Sequence, residues 1–184
     1  MAKIAKALSV SIEELIKGKI MHNHSQNNEC CPEFDPKRWD EKTHHWDSRH
    51  FIKESIPLLF HIPFPPMIGK KIARMWKMAE ESKTAPPKKE DVLVLFTDPH
   101  PFKSELYLSV TGPVPNANNI RISGTFISKV FDGPYNAIPK YIKQIEGYLA
   151  NRGEKAKKYY VHYAYCPKCA DKQGHNYIIL FAEI

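Results

Sequence analysis

No apolar run in the chain approaches the ~20 residues that a membrane span needs, and the lysine-bearing N-terminus lacks the apolar core of a secretory signal. These absences exclude a membrane partner and make the cytoplasm the expected compartment. Concentrated positive charge is missing too. The formal net charge is +7, but the lysines are scattered and form no stripe of the kind that nucleic-acid binders carry, so nucleic acid is not an expected partner. Cysteine is scarce, restricted to Cys30, Cys31, Cys166 and Cys169. In a reducing compartment such residues are thiols or metal ligands before they are disulfides.

What is present is enough for a real core. A chain of 184 residues buries about 70% of its unfolded surface, as one compact domain or two small fused modules. Residues 1–28 read as an N-terminal appendage. Ser11 and Glu14 fit a capping box opening a short helix that Gly18 stops, and the stretch resembles a helix-turn-helix remnant too short to bind DNA alone. Residues 29–50 are rich in Pro, Asp, Trp and His; Trp39 and Trp46 should pack this segment onto the body, with a lid as the alternative role.

From residue 51 the element order becomes regular. Phe51–Ile62 reads as a strand, edge or bulged because of Pro57, and Met67–Glu81 as an amphipathic helix with Ile68, Ile72, Met75, Trp76 and Ala79 on one face. Val92–Thr97 and Glu105–Thr111 read as strands, and residues 112–119 as a linker. After the linker the order repeats. An extended segment from Ser123 ends in Asp132-Gly133-Pro134, a helix runs to Gly153, and extended segments follow at Lys158–Cys166 and Asn176–Ile184. Gly133 permits an unusual φ at the strand end, and Pro134 is pre-set for the first helical turn. The chain is thus expected to be α+β, built from duplicated strand-helix-strand-strand modules at about 51–111 and 123–184. Antiparallel sheets would form a concave groove, with the helices on the outer face.

Strand alternation sorts the faces. Leu106, Leu108 and Val110, and Ile178, Leu180 and Ala182, are aliphatic and should lie under the helices. The opposite faces carry Glu105 and Tyr107, and Tyr177, Ile179, Phe181 and Glu183; Lys158–Cys166 adds Tyr159, Val161, Tyr163 and Tyr165. Aromatic rings with polar tips suit a flat, partly polar ligand, or alternatively a core or dimer interface. The candidate ligand-binding residues are Tyr107, Tyr163, Tyr177 and Phe181, with Trp76 on the first helix and Tyr135 after the turn. Cys166-Pro167-Lys168-Cys169 is half of a zinc site; Cys30 and Cys31 are the remaining thiols, but an adjacent pair is strained around one ion. No cofactor is expected, and Cys166 and Cys169 are where zinc would sit.

Val130-Phe131-Asp132-Gly133-Pro134-Tyr135, then Ala137-Ile138-Pro139 and the helix to Gly153, resemble the second half of the gyrase-inhibitor-like (GyrI-like) small-molecule-binding family. The resemblance spans about residues 51–184 within a domain at 29–184, and implies two modules related by a pseudo-twofold. Relatives hold a buried glutamate on the last strand among aromatics; here Tyr177 stands at that position. The Cys-Pro-rich start and the CPKC segment look similar to the branch that hydrolyses cyclopropane-bearing DNA-alkylating compounds, protecting the cell. That reaction needs a flat aromatic ligand held in place, a water attacking the ring methylene, and stabilisation of the developing phenolate. Glu105 and Glu183 are the candidate bases. The alternative is a non-catalytic small-molecule-binding or drug-sensing regulatory module, monomeric or homodimeric.

Overall fold

Among the described residues ten principal elements follow one another: β1 (Lys42–Leu59), β2 (Ile62–Pro63), α1 (Pro65–Glu81), β3 (Val94–His100), β4 (Lys103–Ser109), β5 (Asn119–Asp132), α2 (Ile138–Ala150), β6 (Lys158–Tyr163), α3 (Pro167–Gln173) and β7 (Tyr177–Glu183). The computed structural model describes residues 31–59, 62–63, 65–100 and 103–184. The expected appendage at 1–28 lies outside them, as does Cys30.

All strand pairings are antiparallel, in the order β2-β1-β4-β3-β6-β7-β5, and β1 also pairs with β5. This second pairing closes six strands into a barrel. The fold is α+β as expected, but the described strands close into a barrel where open sheets sharing a concave groove were expected. The reason is β1, which starts at Lys42 rather than Phe51. Its first part runs along β5 and its second along β4, with residues 51–52 pairing on both sides.

A bulge makes that strand work. Trp46 and Phe51 are an odd number of residues apart, so plain alternation would place them on opposite faces. Between Trp46 and Arg49 the register on β5 slips. Ser48 adopts φ 48° and its N–H donates to Ser123 Oγ at 2.8 Å. The extra residue is absorbed, and both rings point into the barrel.

The barrel interior is solid. Trp46, Phe51, Leu95, Tyr107, Phe126, Tyr160, Ile179 and Phe181 are buried together. Trp46 stacks on Phe126 at 4.1 Å and meets Phe181 at 5.6 Å. A six-stranded barrel is narrower than the eight-stranded one that side chains just fill. Trp39, expected to pack on the body, does so at 5.9 Å from Phe181.

The helices lie outside. Met75 and Ala79 of α1 bury Ile52, Ile56, Leu106 and Leu108. Tyr141, Ile145 and Leu149 of α2 bury Ile127, Phe131, Ile178 and Leu180. The aliphatic faces therefore sit under the helices as the alternation indicated. The CPKC segment, expected as part of a connection between strands, forms the start of α3, which Gly174 ends at φ 70° in the left-handed cap conformation glycine favours.

The turn after β5 is a second fixed point. Gly133 has φ 156°, and a Cβ there would sit 2.2 Å from the Tyr141 hydroxyl. Tyr141 cannot swing away, because its ring stacks on Phe131 at 4.5 Å. Pro134 precedes a 3-10 turn at Tyr135–Ala137, and Pro139, not Pro134, occupies the first turn of α2. Gly133→Ala should lower unfolding stability by about 2–3 kcal/mol through clash and backbone strain. In urea denaturation, Tyr141→Phe added to Gly133→Ala should restore part of that loss; no recovery would show that the close approach is not the cause.

Candidate functional site

The two helices cover β1 and β4 on one side and β5 and β7 on the other, which leaves the seam between β3 and β6 without a helix above it. The outward side chains of that seam, Val94 and Phe96, and Val161 and Tyr163, are only partly buried. Above them lies a cavity of about 2100 Å³, with Ile68, Ile72 and Trp76 of α1 on one wall and Ile138 and Ile142 of α2 on the other. Small-molecule pockets typically measure roughly 300–1,000 Å³, so this open cavity is larger than a single drug-sized ligand requires.

Aromatic rings dominate the floor. Tyr163 meets Phe96 at 5.3 Å and Tyr135 edge-on at 5.1 Å. Tyr135 is, among the described residues, the large apolar side chain left exposed, at 40%. Burial, the charge of Asp98 and the neighbouring Tyr135 push the Tyr163 phenol up to about 12. Burial and Glu146 do the same for Tyr159, again to about 12, and its hydroxyl lies 3.4 Å from Glu146 Oε1. These phenols are therefore protonated donors at neutral pH. Among the residues lining the cavity, Asp98 is the carboxylate that acts on Tyr163.

The residues expected at the site fall into four places. Trp76, Tyr135 and Tyr163 line the cavity; Tyr107, Tyr177, Phe181, Glu105 and Glu183 do not. Tyr107 and Phe181 are buried in the barrel, 3% and 0% exposed. Tyr163 faces the opposite way from them, because on β6 it is Tyr160 that enters the interior. Tyr177 packs instead on Phe34 at 5.2 Å and on His175 at 4.9 Å.

Glu105 stands at one end of the barrel. Lys53 Nζ lies 2.7 Å from its Oε1, and the Tyr107 hydroxyl donates to its Oε2 at 2.5 Å. Burial alone would raise its pKa, yet the bonds from Lys53 and Tyr107 and the charge of Lys103 together hold the carboxyl below the usual range. Burial and then Glu105 push the Tyr107 phenol far up. Such a carboxylate is a structural anion, poorly disposed to take a proton. Glu183 lies in register with Lys158 and Phe126, and Lys158 Nζ sits 4.6 Å from the centre of the Tyr160 ring.

At another edge of the cavity, Cys31, Cys166 and Cys169 bring their sulfurs within 4.8 Å of one another. The Cys166 N–H donates to Cys31 Sγ at 3.3 Å, and Phe34 N–H donates to the Tyr165 hydroxyl at 3.0 Å. The segment before β1 is thereby held against the start of α3. Phe96 and Asp98 were missed in the sequence because Val92–Thr97 reads as wholly apolar and Asp98-Pro99 as a turn; β3 continues through both.

A family model described as bacterial hydrolase matches residues 21–184. The chain belongs to this bacterial hydrolase family. Two solved structures share its fold: an uncharacterized conserved protein from Listeria innocua, at 10% identity and a TM-score of 0.53, and a hydrolase from Listeria innocua, at 9% identity and a TM-score of 0.54. Each alignment covers 78% of this chain and 91% of the other. Nothing matches among the curated proteins. No helix among the described residues is long and apolar enough to cross a membrane.

His162, on the same face of β6 as Tyr160, is partly buried and also contributes to the cavity lining. Its Nδ1 lies 3.2 Å from the Val94 N–H nitrogen and 3.1 Å from the Val94 carbonyl oxygen. Burial pushes this imidazole from 6.5 down to about 4, against the Val94 bond. The unfolded chain therefore binds a proton at a pH where the folded chain refuses it, and stability falls as pH drops from about 6.5 to 4. The contribution is up to about 3 kcal/mol. His44, lowered by burial, Arg49 and His45, acts with the same sign. His162→Gln should flatten the pH dependence of the urea midpoint in this window without abolishing it. An unchanged slope would mean that His162 is protonated in the fold.

Proposed function

We propose that this hydrolase binds flat aromatic xenobiotics in the cavity between α1 and α2 and opens an electrophilic ring in them with water. The cavity carries the reading. It offers a Phe96–Tyr163–Tyr135 aromatic floor, faces Trp76, and holds protonated phenols beside a carboxylate. Membership of a hydrolase family supports hydrolysis as the reaction type. The matching orders β1-α1-β3-β4 and β5-α2-β6-β7 support two equivalent modules about a pseudo-twofold, with the cavity at their seam. This is the arrangement that the GyrI-like resemblance implies.

The chemistry follows from the lining. A cyclopropane conjugated to a dienone is opened when a water oxygen bonds to the ring methylene. The ring C–C bond breaks, and its electron pair becomes the phenolate. Asp98 takes the water proton as general base, a role typically contributing ~10²–10⁴-fold. The Tyr163 hydroxyl donates to the developing oxyanion. Trp76 stacks on the flat ligand, and the large cavity accepts its remaining rings. Glu105 keeps its bonds to Lys53 and Tyr107, and Glu183 stays beside Lys158, so the base role expected of them passes to Asp98. Detoxification of a DNA-alkylating compound would protect the cell that makes or meets it.

With a cyclopropane-bearing dienone in excess, mass spectrometry should show many turnovers per enzyme, a product heavier by one water, and no protein adduct. Asp98→Asn should lower kcat by about 10²–10⁴-fold, while Trp76→Ala should mainly raise KM. One stoichiometric adduct without turnover would make the protein a scavenger, and tight binding without substrate loss would make it a binding module. Full activity in Asp98→Asn would remove the assigned base.

A further inference from the structure

The three sulfurs at the cavity edge come from two distant parts of the chain. Cys166 and Cys169 share the first turn of α3, where the i, i+3 spacing sets them side by side. Cys31 is brought to them from the segment before β1 and already accepts the Cys166 N–H. Around a tetrahedral zinc with Zn–S near 2.3 Å, sulfurs stand about 3.8 Å apart. The observed mutual distances, all within 4.8 Å, need only small side-chain rotations to reach that. Three soft donors converging in this way match zinc among the common divalent ions, since carboxylate-loving magnesium and calcium have no oxygen set here.

We infer that Cys31, Cys166 and Cys169 bind one Zn²⁺ as thiolates, clipping the segment before β1 onto α3 at the edge of the cavity. Cys31 and Cys166 both line the cavity while Cys169 is buried, so among the described residues the fourth tetrahedral position is open toward the cavity. Three protein ligands plus one open position is the pattern of zinc sites that exchange a ligand, unlike closed four-ligand sites. Cys30 is adjacent to Cys31 in sequence, and two neighbouring residues span one ion poorly. Among the described residues the ligand set is thus three thiolates.

The full chain, purified without chelator or added metal, should carry about one zinc per molecule by elemental analysis. Cobalt exchanged into the wild-type protein should give the intense thiolate-to-metal charge-transfer band and the visible bands of a tetrahedral site. Adding a small thiol should shift the visible bands, because the fourth position is open. Cys166→Ser and Cys169→Ser should each lose zinc while circular dichroism shows the barrel retained, and Cys30→Ser should keep it. Wild-type protein with no zinc and no cobalt charge-transfer band would overturn the assignment, even if the cysteine variants fail to fold. So would a disulfide between two of the three cysteines in protein isolated under reducing conditions. Loss of zinc in Cys30→Ser would overturn the three-thiolate set. Metal content is read without substrate, so this result stands apart from the fate of the proposed hydrolysis.

Discussion

The structure depends on one constraint: β1 pairs with β4 and β5 at once. An 18-residue strand that hydrogen-bonds along both edges closes the sheet, and a closed sheet has no free edges to protect. Closure also fixes what the interior can hold. Six strands leave room for side chains alone, and Trp46, Phe126 and Phe181 take it. A large buried aromatic contributes several kcal/mol, and truncating one to alanine typically costs about 3–5 kcal/mol. The bulge at Ser48 keeps Trp46 and Phe51 on the same side, so a single irregularity in β1 aligns both rings with the rest of the core.

A filled barrel leaves the space for a ligand outside it. Each helix covers one group of strands, and the β3–β6 seam between the two groups is floored by partly buried rings. The same geometry separates two kinds of polar group. Glu105, Lys53 and Tyr107 neutralise one another at the barrel end, where they stabilise the fold. Asp98 and the phenols of Tyr163 and Tyr159 face the cavity, where protonated donors and a carboxylate are useful to a reaction. Two carboxylates on adjacent strands thus have different environments.

Much of this was legible in the sequence. Helical spacing located α1 and α2, the Asp132-Gly133-Pro134 turn was recognisable, and aliphatic alternation on β4 and β7 identified the surfaces beneath the helices. Trp76, Tyr135 and Tyr163 were singled out as ligand residues and do line the cavity. The stretch from Lys42 to His50 was not recognised as a strand, because its bulge breaks the period and its His, Asp and Ser residues hide the pattern. The face of β6 was misjudged for a related reason. Its inward side chains include Lys158 and His162, which look solvent-directed, while Tyr159, Val161 and Tyr163 point out toward α2 and the cavity. Closure itself was invisible: pairing between β1 and β5 joins segments some 80 residues apart, for instance His45 with Thr125, and no local pattern encodes it.

The central claim is that ligands occupy the seam between the helices and leave the barrel interior untouched. Methyl NMR on isoleucine-labelled protein, titrated with a flat aromatic compound, tests it most directly. The account predicts saturable shifts at Ile68, Ile72, Ile138 and Ile142, which line the cavity, with Ile122 and Ile179 inside the barrel unchanged. Shifts concentrated at Ile122 and Ile179 would contradict it, and would place the binding site in the barrel.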